Sequence, residues 1–479
     1  MEILAMGSSL CKLAAIGIGL DAVMKGYKSF SKVSKTATAY KAKPREIKNF
    51  VGKDGITLSK HIQISEKTTY EHIGVFGKTG SRKTTGLYLP NLLSNNLPQK
   101  SSLVISDIKG ELHQKTSWYQ KNVCKREIIV FAPLNPEFSC SINPLDICQD
   151  MTDIRKLAQT LLANSDKSSP DKSSGGAEWQ SMSTPLLSAS LAYCKYKGGE
   201  QCSITTALDI VINNSNEELE LLFRDSTIEI MGQWNIFKTA LNVKGVEGSI
   251  KITLASALQI FLDYKISSTT SKCDFRPEYL RQRPIALYII YPSEKADYLA
   301  PLMATIFSQL TDVNLEYYDK HIESLPIFNF YDEFANIGFI ASFNHIITTA
   351  RSKKFALILC IHDVRQLYRL YGEDLTYTML NNLTTKIVLP GISEPATIKF
   401  ISELCGDTEI TVSNQSKTGD KTTVNTSKQT RKLYTPSEVR CLADNTCVVI
   451  INNKQPVADK LNLCYENPLY DNRIVNQYL

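Results

Sequence analysis

At 479 residues the chain is long enough for two or more domains and a large core, and its 43% hydrophobic and 21% charged residues are the balance of a soluble globular protein. A net charge of +6 permits nucleic acid or an acidic membrane surface as partner without demanding either. Twelve cysteines with no C-x-x-C pair and only six histidines argue against a zinc site or a disulfide framework, and for a reducing cytosol.

Residues 3–24 are largely apolar, but Lys12 and Asp21 interrupt them, and the clean run 13–20 falls short of the about 20 residues a spanning helix needs. Lys25, Lys28, Lys32 and Lys35 come next. Residues 1–35 therefore read as a segment that lies on, or anchors to, the cytoplasmic face of a membrane, with a docked amphipathic helix as the alternative. No signal peptide is read from this segment.

Residues 36–70 are polar and mixed, with a hairpin expected at Lys53-Asp54-Gly55. The stretch 73–86 is the organising element of the chain. Ile73, Val75 and Phe76 read as a buried strand that enters a glycine-bearing turn, and a helix is expected from Lys83 to about residue 96, bent or ended early by Pro90. This is the layout of a phosphate-binding loop, G-x-x-x-x-G-K-[ST]. Gly77 fits the first glycine, and Lys78, Thr79, Gly80 and Ser81 the variable turn. Lys83 would reach the β- and γ-phosphates of ATP, and the hydroxyl of Thr84, followed by Thr85, would hold Mg²⁺ at the helix N-terminus. Arg82 stands where the second glycine is expected.

Apolar strands are expected at 102–106, 127–131, 285–290, 327–331, 356–361, 386–389 and 446–451, alternating with helices. That pattern implies an α/β fold with a mainly parallel sheet covered on both faces. Between about 150 and 267 almost every segment is helical in period, and a Ser/Gly-rich stretch at 165–176 reads as a flexible loop. The expected organisation is an all-helical domain, 150–267, inserted into a nucleotide-binding domain of 36–149 and 268–479. The Lys/Thr-rich stretch 413–433 reads as a solvated surface loop.

The strand 327–331 ends in Asp332-Glu333, about 250 residues after the phosphate loop. A buried strand delivering acids to the C-terminal edge of the sheet, beside that loop, has the form of a Walker B element. Asp332 would complete the Mg²⁺ shell and Glu333 would act as general base on the attacking water.

Several ordered blocks resemble the coupling proteins of type IV secretion and conjugation systems, the TraG-like branch of hexameric P-loop DNA motors. These are 72–93 with its Leu-Pro-Asn-Leu-Leu, Asp107-Ile-Lys-Gly-Glu111, Phe131-Ala-Pro-Leu-Asn-Pro with Ile142-Asn-Pro-Leu-Asp, Glu178-Trp179, Tyr331-Asp-Glu-Phe-Ala-Asn-Ile-Gly338, 362–372 and Glu403-Leu-Cys-Gly406. The resemblance implies a RecA-like P-loop NTPase domain with an inserted all-α domain. It further implies a homo-hexamer at the inner membrane that uses ATP to pass single-stranded or duplex DNA, with relaxase or effector proteins, to secretion-channel components. Arg351, eighteen residues after Glu333, falls where the family places an arginine that reaches the neighbouring subunit's nucleotide. His362 falls where the family usually has a γ-phosphate-sensing glutamine. Arg82, His362 and the absence of two N-terminal spanning helices depart from the family pattern. They leave a non-hydrolysing recruitment platform as the alternative to an ATPase.

Overall fold

The computed structural model describes residues 37–165, 174–241, 246–418 and 421–477. The expected membrane-associating segment 1–35 and most of the expected loop 165–176 lie outside the described residues. The chain forms two compact units, one of residues up to Tyr40 with Ser402–Thr435, the other of Lys41–Ile401 with Pro436–Leu479.

The larger unit is built on a nine-stranded sheet. Its strands are β1 (Ile73–Phe76), β2 (Ser102–Asp107), β3 (Glu127–Phe131), β4 (Ile285–Ile290), β5 (Ile327–Tyr331), β6 (Phe355–Ile361), β7 (Thr385–Val388), β10 (Thr446–Ile451) and β11 (Val457–Lys460). They are ordered β11-β10-β7-β1-β6-β5-β2-β4-β3. From β7 to β3 every pairing is parallel; β10 and β11 close one edge antiparallel. Strands β1, β2, β5, β6 and β7 are buried throughout. That explains why apolar residues dominate their centres instead of alternating with polar ones, because a central parallel strand has both faces covered. Ile73, Val75, Leu103, Ile105, Phe328, Phe330, Ala356 and Ile358 alternate along their strands to form one core face with Leu87, Tyr88 and Leu92 of the segment after the phosphate loop. Strand β11 has no counterpart among the strands expected from sequence; only Val457 of its four residues is buried, so it lacks an apolar run.

Between β3 and β4 the described residues hold helices and no strand. Side-chain caps start them: Asp150 accepts from the Thr152 and Asp153 amides before Met151–Ala163, and Ser215 and Glu218 form a reciprocal capping box before Asn216–Arg224. Tyr193, Phe223, Trp234 and Phe237 pack ring against ring in succession inside this block, the first two pairs edge-to-face and the third tilted, at centroid distances of 5.6, 5.5 and 5.3 Å.

In the smaller unit the stretch read as a solvated loop is instead the long antiparallel hairpin β8 (Asp407–Thr418) and β9 (Lys421–Lys432). Its sequence is polar on both faces, so the apolar alternation that betrays a half-buried strand is missing. Its many threonines still favour the extended backbone. Asp407 pairs with Lys432 at 3.1 Å and Glu409 with Lys428 at 2.6 Å across the ladder.

Candidate functional site

Strand β1 runs directly into the phosphate loop. A Cβ at Gly77 would stand 2.4 Å from Ser81 Oγ and 3.1 Å from Leu389 Cβ, so the turn closes too tightly for any side chain there. Gly80 sits at φ +82° and Arg82 at φ +68°, the left-handed region that an L-residue enters at a cost of about 1–2 kcal/mol. The Arg82 guanidinium donates to Asn445 Oδ1. After Lys83 the chain makes a wide helical turn, Thr84–Tyr88, then a short α-helix, Leu89–Leu92. The helix expected to run to residue 96 therefore ends four residues sooner, soon after Pro90. Asn91 fixes this segment by donating to Thr57 O and Leu87 O, at 2.8 and 2.7 Å.

Lys83 is buried; its ammonium donates to Gly77 O at 3.5 Å and to His362 Nε2, and stands 3.8 Å from Asp332 Oδ1, an ion pair too long to be a hydrogen bond. An ammonium has no lone pair, so it donates and the imidazole nitrogen accepts. His362 Nε2 also stands 3.3 Å from Glu333 Oε1. Glu333 takes φ +54°, and Asn336 Nδ2 donates to its Oε2 at 2.5 Å, which fixes the direction of the carboxylate. Strand β5 delivers Asp332 beside the phosphate loop without adjoining β1: β6 lies between them and ends at Ile361. That intervening strand is what carries His362 into the space between Lys83 and Glu333.

The cleft these groups share has a volume of about 600 Å³, within the range of small-molecule sites. It is lined by Thr79, Gly80, Arg82, Lys83, Thr84 and Thr85, by Asp332, Glu333 and His362, and by Asp107, Lys109, Glu111 and Ser293. Of the expected site residues, Lys78 is exposed and its side chain passes beside Gly391, while Ser81 packs inside the turn against Gly77. Arg351 is not brought to the cleft. It sits in the turn Ala350–Lys353, just before β6, and therefore at the opposite edge of the sheet, where it pairs with Glu71.

Asp107 is a cleft residue to which sequence reasoning gave no role, although it opens the Asp107–Glu111 block. It lies at the end of β2, beside β5, and its Oδ2 accepts from the His113 amide at 2.7 Å. Burial lifts its carboxyl to about 6 against the pull of that hydrogen bond. Asp332 is likewise raised to about 6 by burial, with Lys83 opposing and Glu333 adding to the rise. Its Oδ1 and the Ser81 hydroxyl are buried without a hydrogen-bond partner among the described residues. A buried acceptor left without a hydrogen bond is costly and rare. Beside a helix-start hydroxyl and a glycine-bearing turn, it fits the hard-oxygen donor set of Mg²⁺ with phosphate, in which the protein supplies one or two carboxylates. No group of three or more His, Cys, Asp or Glu suited to holding a metal by itself occurs among the described residues.

The family model described as Type IV secretory system Conjugative DNA transfer matches residues 28–478. The conjugal transfer protein TraG of Escherichia coli is 25% identical over 403 residues, covering 77% of this chain and 61% of that protein. Protein VirD4 of Agrobacterium fabrum is 24% identical over 411 residues, covering 81% and 57%. This chain thus spans about three-fifths of the length of these curated relatives. The unbound bacterial conjugative coupling protein TrwB superposes with a TM-score of 0.70 at 17% identity, over 90% of this chain and 95% of that one. TrwB in complex with the non-hydrolysable ATP analogue ADPNP gives 0.68 at 15% identity, over 89% and 94%. The shared fold is RecA-like, a mostly parallel sheet with the phosphate loop on a central strand. By the match of nearly its whole length, the chain belongs to the type IV secretory system conjugative DNA transfer family.

Proposed function

We propose that this chain is the ATP-driven coupling motor of a type IV secretion or conjugation apparatus. It would recruit DNA, with relaxase or effector proteins, and drive it toward the secretion channel. The observation that carries this reading is the convergence of Lys83, Asp332, Glu333 and His362 at one sheet edge over a glycine-bearing phosphate turn. The acceptors that hold Lys83 are ones phosphate oxygens can replace. The amides from Gly80 to Thr84 and the Lys83 ammonium would bind the phosphates of ATP, with Thr84 and Asp332 holding Mg²⁺, which supplies neutralisation of phosphate charge when bound. Glu333, set by Asn336, would orient the attacking water and accept its proton. Arg351 would serve a neighbouring subunit of a homo-hexamer, since its own cleft is at the other end of the sheet. The helical stretch 150–267 would form the inserted domain that meets the substrate. The described residues hold no helix long and apolar enough to cross a membrane. Attachment to the inner membrane would rest on residues 1–35 or on other components.

A second reading, a recruitment platform that binds nucleotide without hydrolysing it, is favoured by Arg82 at φ +68° and by the imidazole at position 362. ATP turnover of the purified chain, with and without single-stranded DNA, separates the two. In the motor, Glu333→Gln keeps ATP binding and slows turnover by roughly 10²–10⁴-fold. Unchanged turnover in that variant removes Glu333 from the chemistry, and absence of turnover in the parent chain favours the platform.

A further inference from the structure

Arg351 points outward from a turn that is otherwise pinned on every side. Its side chain is 57% exposed, while the Glu71 carboxylate it pairs with is only 10% exposed. Glu71 and His72 immediately precede β1, and their carbonyls accept from the Thr384 and Thr385 amides at 3.0 and 3.2 Å. His72 takes φ +66°, a conformation a non-glycine residue keeps only where its surroundings impose it. Its ring is fully enclosed and used at both nitrogens. The Leu357 amide of β6 donates to Nδ1 at 3.2 Å, so the proton sits on Nε2, which donates to Ile347 O at 3.0 Å. One imidazole thereby ties the helix before Arg351, Phe343–Thr349, to the strand after it. From beneath, the buried Arg281 guanidinium donates to the carbonyls of Lys353 at 2.9 Å, Lys354 at 3.4 Å and Leu325 at 2.8 Å.

An exposed ion pair adds little stability, and burying an acid to make one adds less. The arrangement makes sense if the cation must be held in a fixed direction. A guanidinium has five donors, so one edge on Glu71 leaves others for an anion.

We propose that Glu71 and His72, backed by Arg281, are positioning residues that hold Arg351 in the direction from which a neighbouring subunit's nucleotide phosphates can meet it. The proposal rests on the coupling-motor function, in which Arg351 acts across a subunit interface. Strand β1 then carries both halves of the shared site, the phosphate loop at one end and the arginine bracket at the other.

The test uses rings of full-length chains, with ATP turnover as readout. Arg351→Ala subunits mixed with Lys83→Ala subunits recover turnover, because some interfaces pair an intact Lys83 with an intact Arg351. Adding Glu71→Gln to the Lys83→Ala subunits, which only supply Arg351, lowers the recovered kcat about tenfold, less than the about 10²-fold that an ångström of misplacement can cost. The KM for ATP stays within about twofold. Adding Glu71→Gln to the Arg351→Ala subunits instead leaves the recovered rate unchanged. Should Glu71→Gln fail to assemble, Glu71→Asp in the same two placements reads the same asymmetry. Equal recovery from both placements, or loss from both, overturns the positioning role while leaving the shared site intact. No recovery in the parent mixture of confirmed mixed rings, or full turnover by Arg351→Ala alone, overturns the shared site and the proposal with it.

Discussion

Arg82 carries two opposed effects. As a side chain at φ +68° it strains the phosphate loop, and as a cation it could bind phosphate bidentately. Its Nη1 donates to Asn445 Oδ1, which occupies one edge of the guanidinium. We expect Arg82→Gly to relieve about 1–2 kcal/mol of strain and to tighten ATP binding severalfold in a titration. A weakened affinity would make the guanidinium a phosphate ligand. Asp332 poses a stability question. Burial raises its folded-state value from 3.8 to about 6. An acid raised in the folded state contributes stability fully present below its unfolded value and lost as pH climbs through about 6. At pH 7.5 the nucleotide-free protein therefore bears the charged carboxylate at a cost. Asp332→Asn should raise the melting temperature at pH 7.5, with the gain fading toward pH 4. An equal gain at both values would point to packing rather than charge.

At the scale of elements, the wide turn Thr84–Tyr88 aligns the phosphate loop with the acidic strand. The Tyr88 hydroxyl donates to Tyr331 O at 3.2 Å, the last carbonyl of β5 before Asp332-Glu333. Tyr88 also packs edge-on against Phe330 at 5.8 Å. Tyr88→Phe keeps the ring packing and removes only the hydrogen bond, so a loss of about 1 kcal/mol in denaturant unfolding is expected. A variant as stable as the parent would show that packing alone joins the two elements. Local chemistry made most elements readable. Caps at Asp150 and Ser215 and the largely apolar runs of β2, β5 and β6 are signals carried by neighbouring residues. The hairpin β8–β9 and the edge strand β11 escaped because their stabilisation comes from cross-strand pairing, which a periodicity of apolar residues does not record.

For the whole molecule, the family match and the mild basic excess of +6 lead to a binding prediction. Single-stranded DNA should bind the assembled protein through phosphate contacts, weakening steeply with salt and depending little on base sequence. A flat salt dependence, or no binding by the assembled form, would point to protein substrates alone. The chain's own sequence determined the phosphate turn, the acids at 332 and 333 and the α/β alternation, because each depends on residues adjacent along the backbone. Only the tertiary structure decided what those residues face. Inserting β6 between β1 and β5 set His362 against Lys83 and Glu333, and the end of β2 brought Asp107 into the same cleft. Parallel pairing put Arg351 and Glu71 at the far edge. Strand order and direction are settled by which apolar faces pack best across the sheet. No short stretch of sequence holds that information.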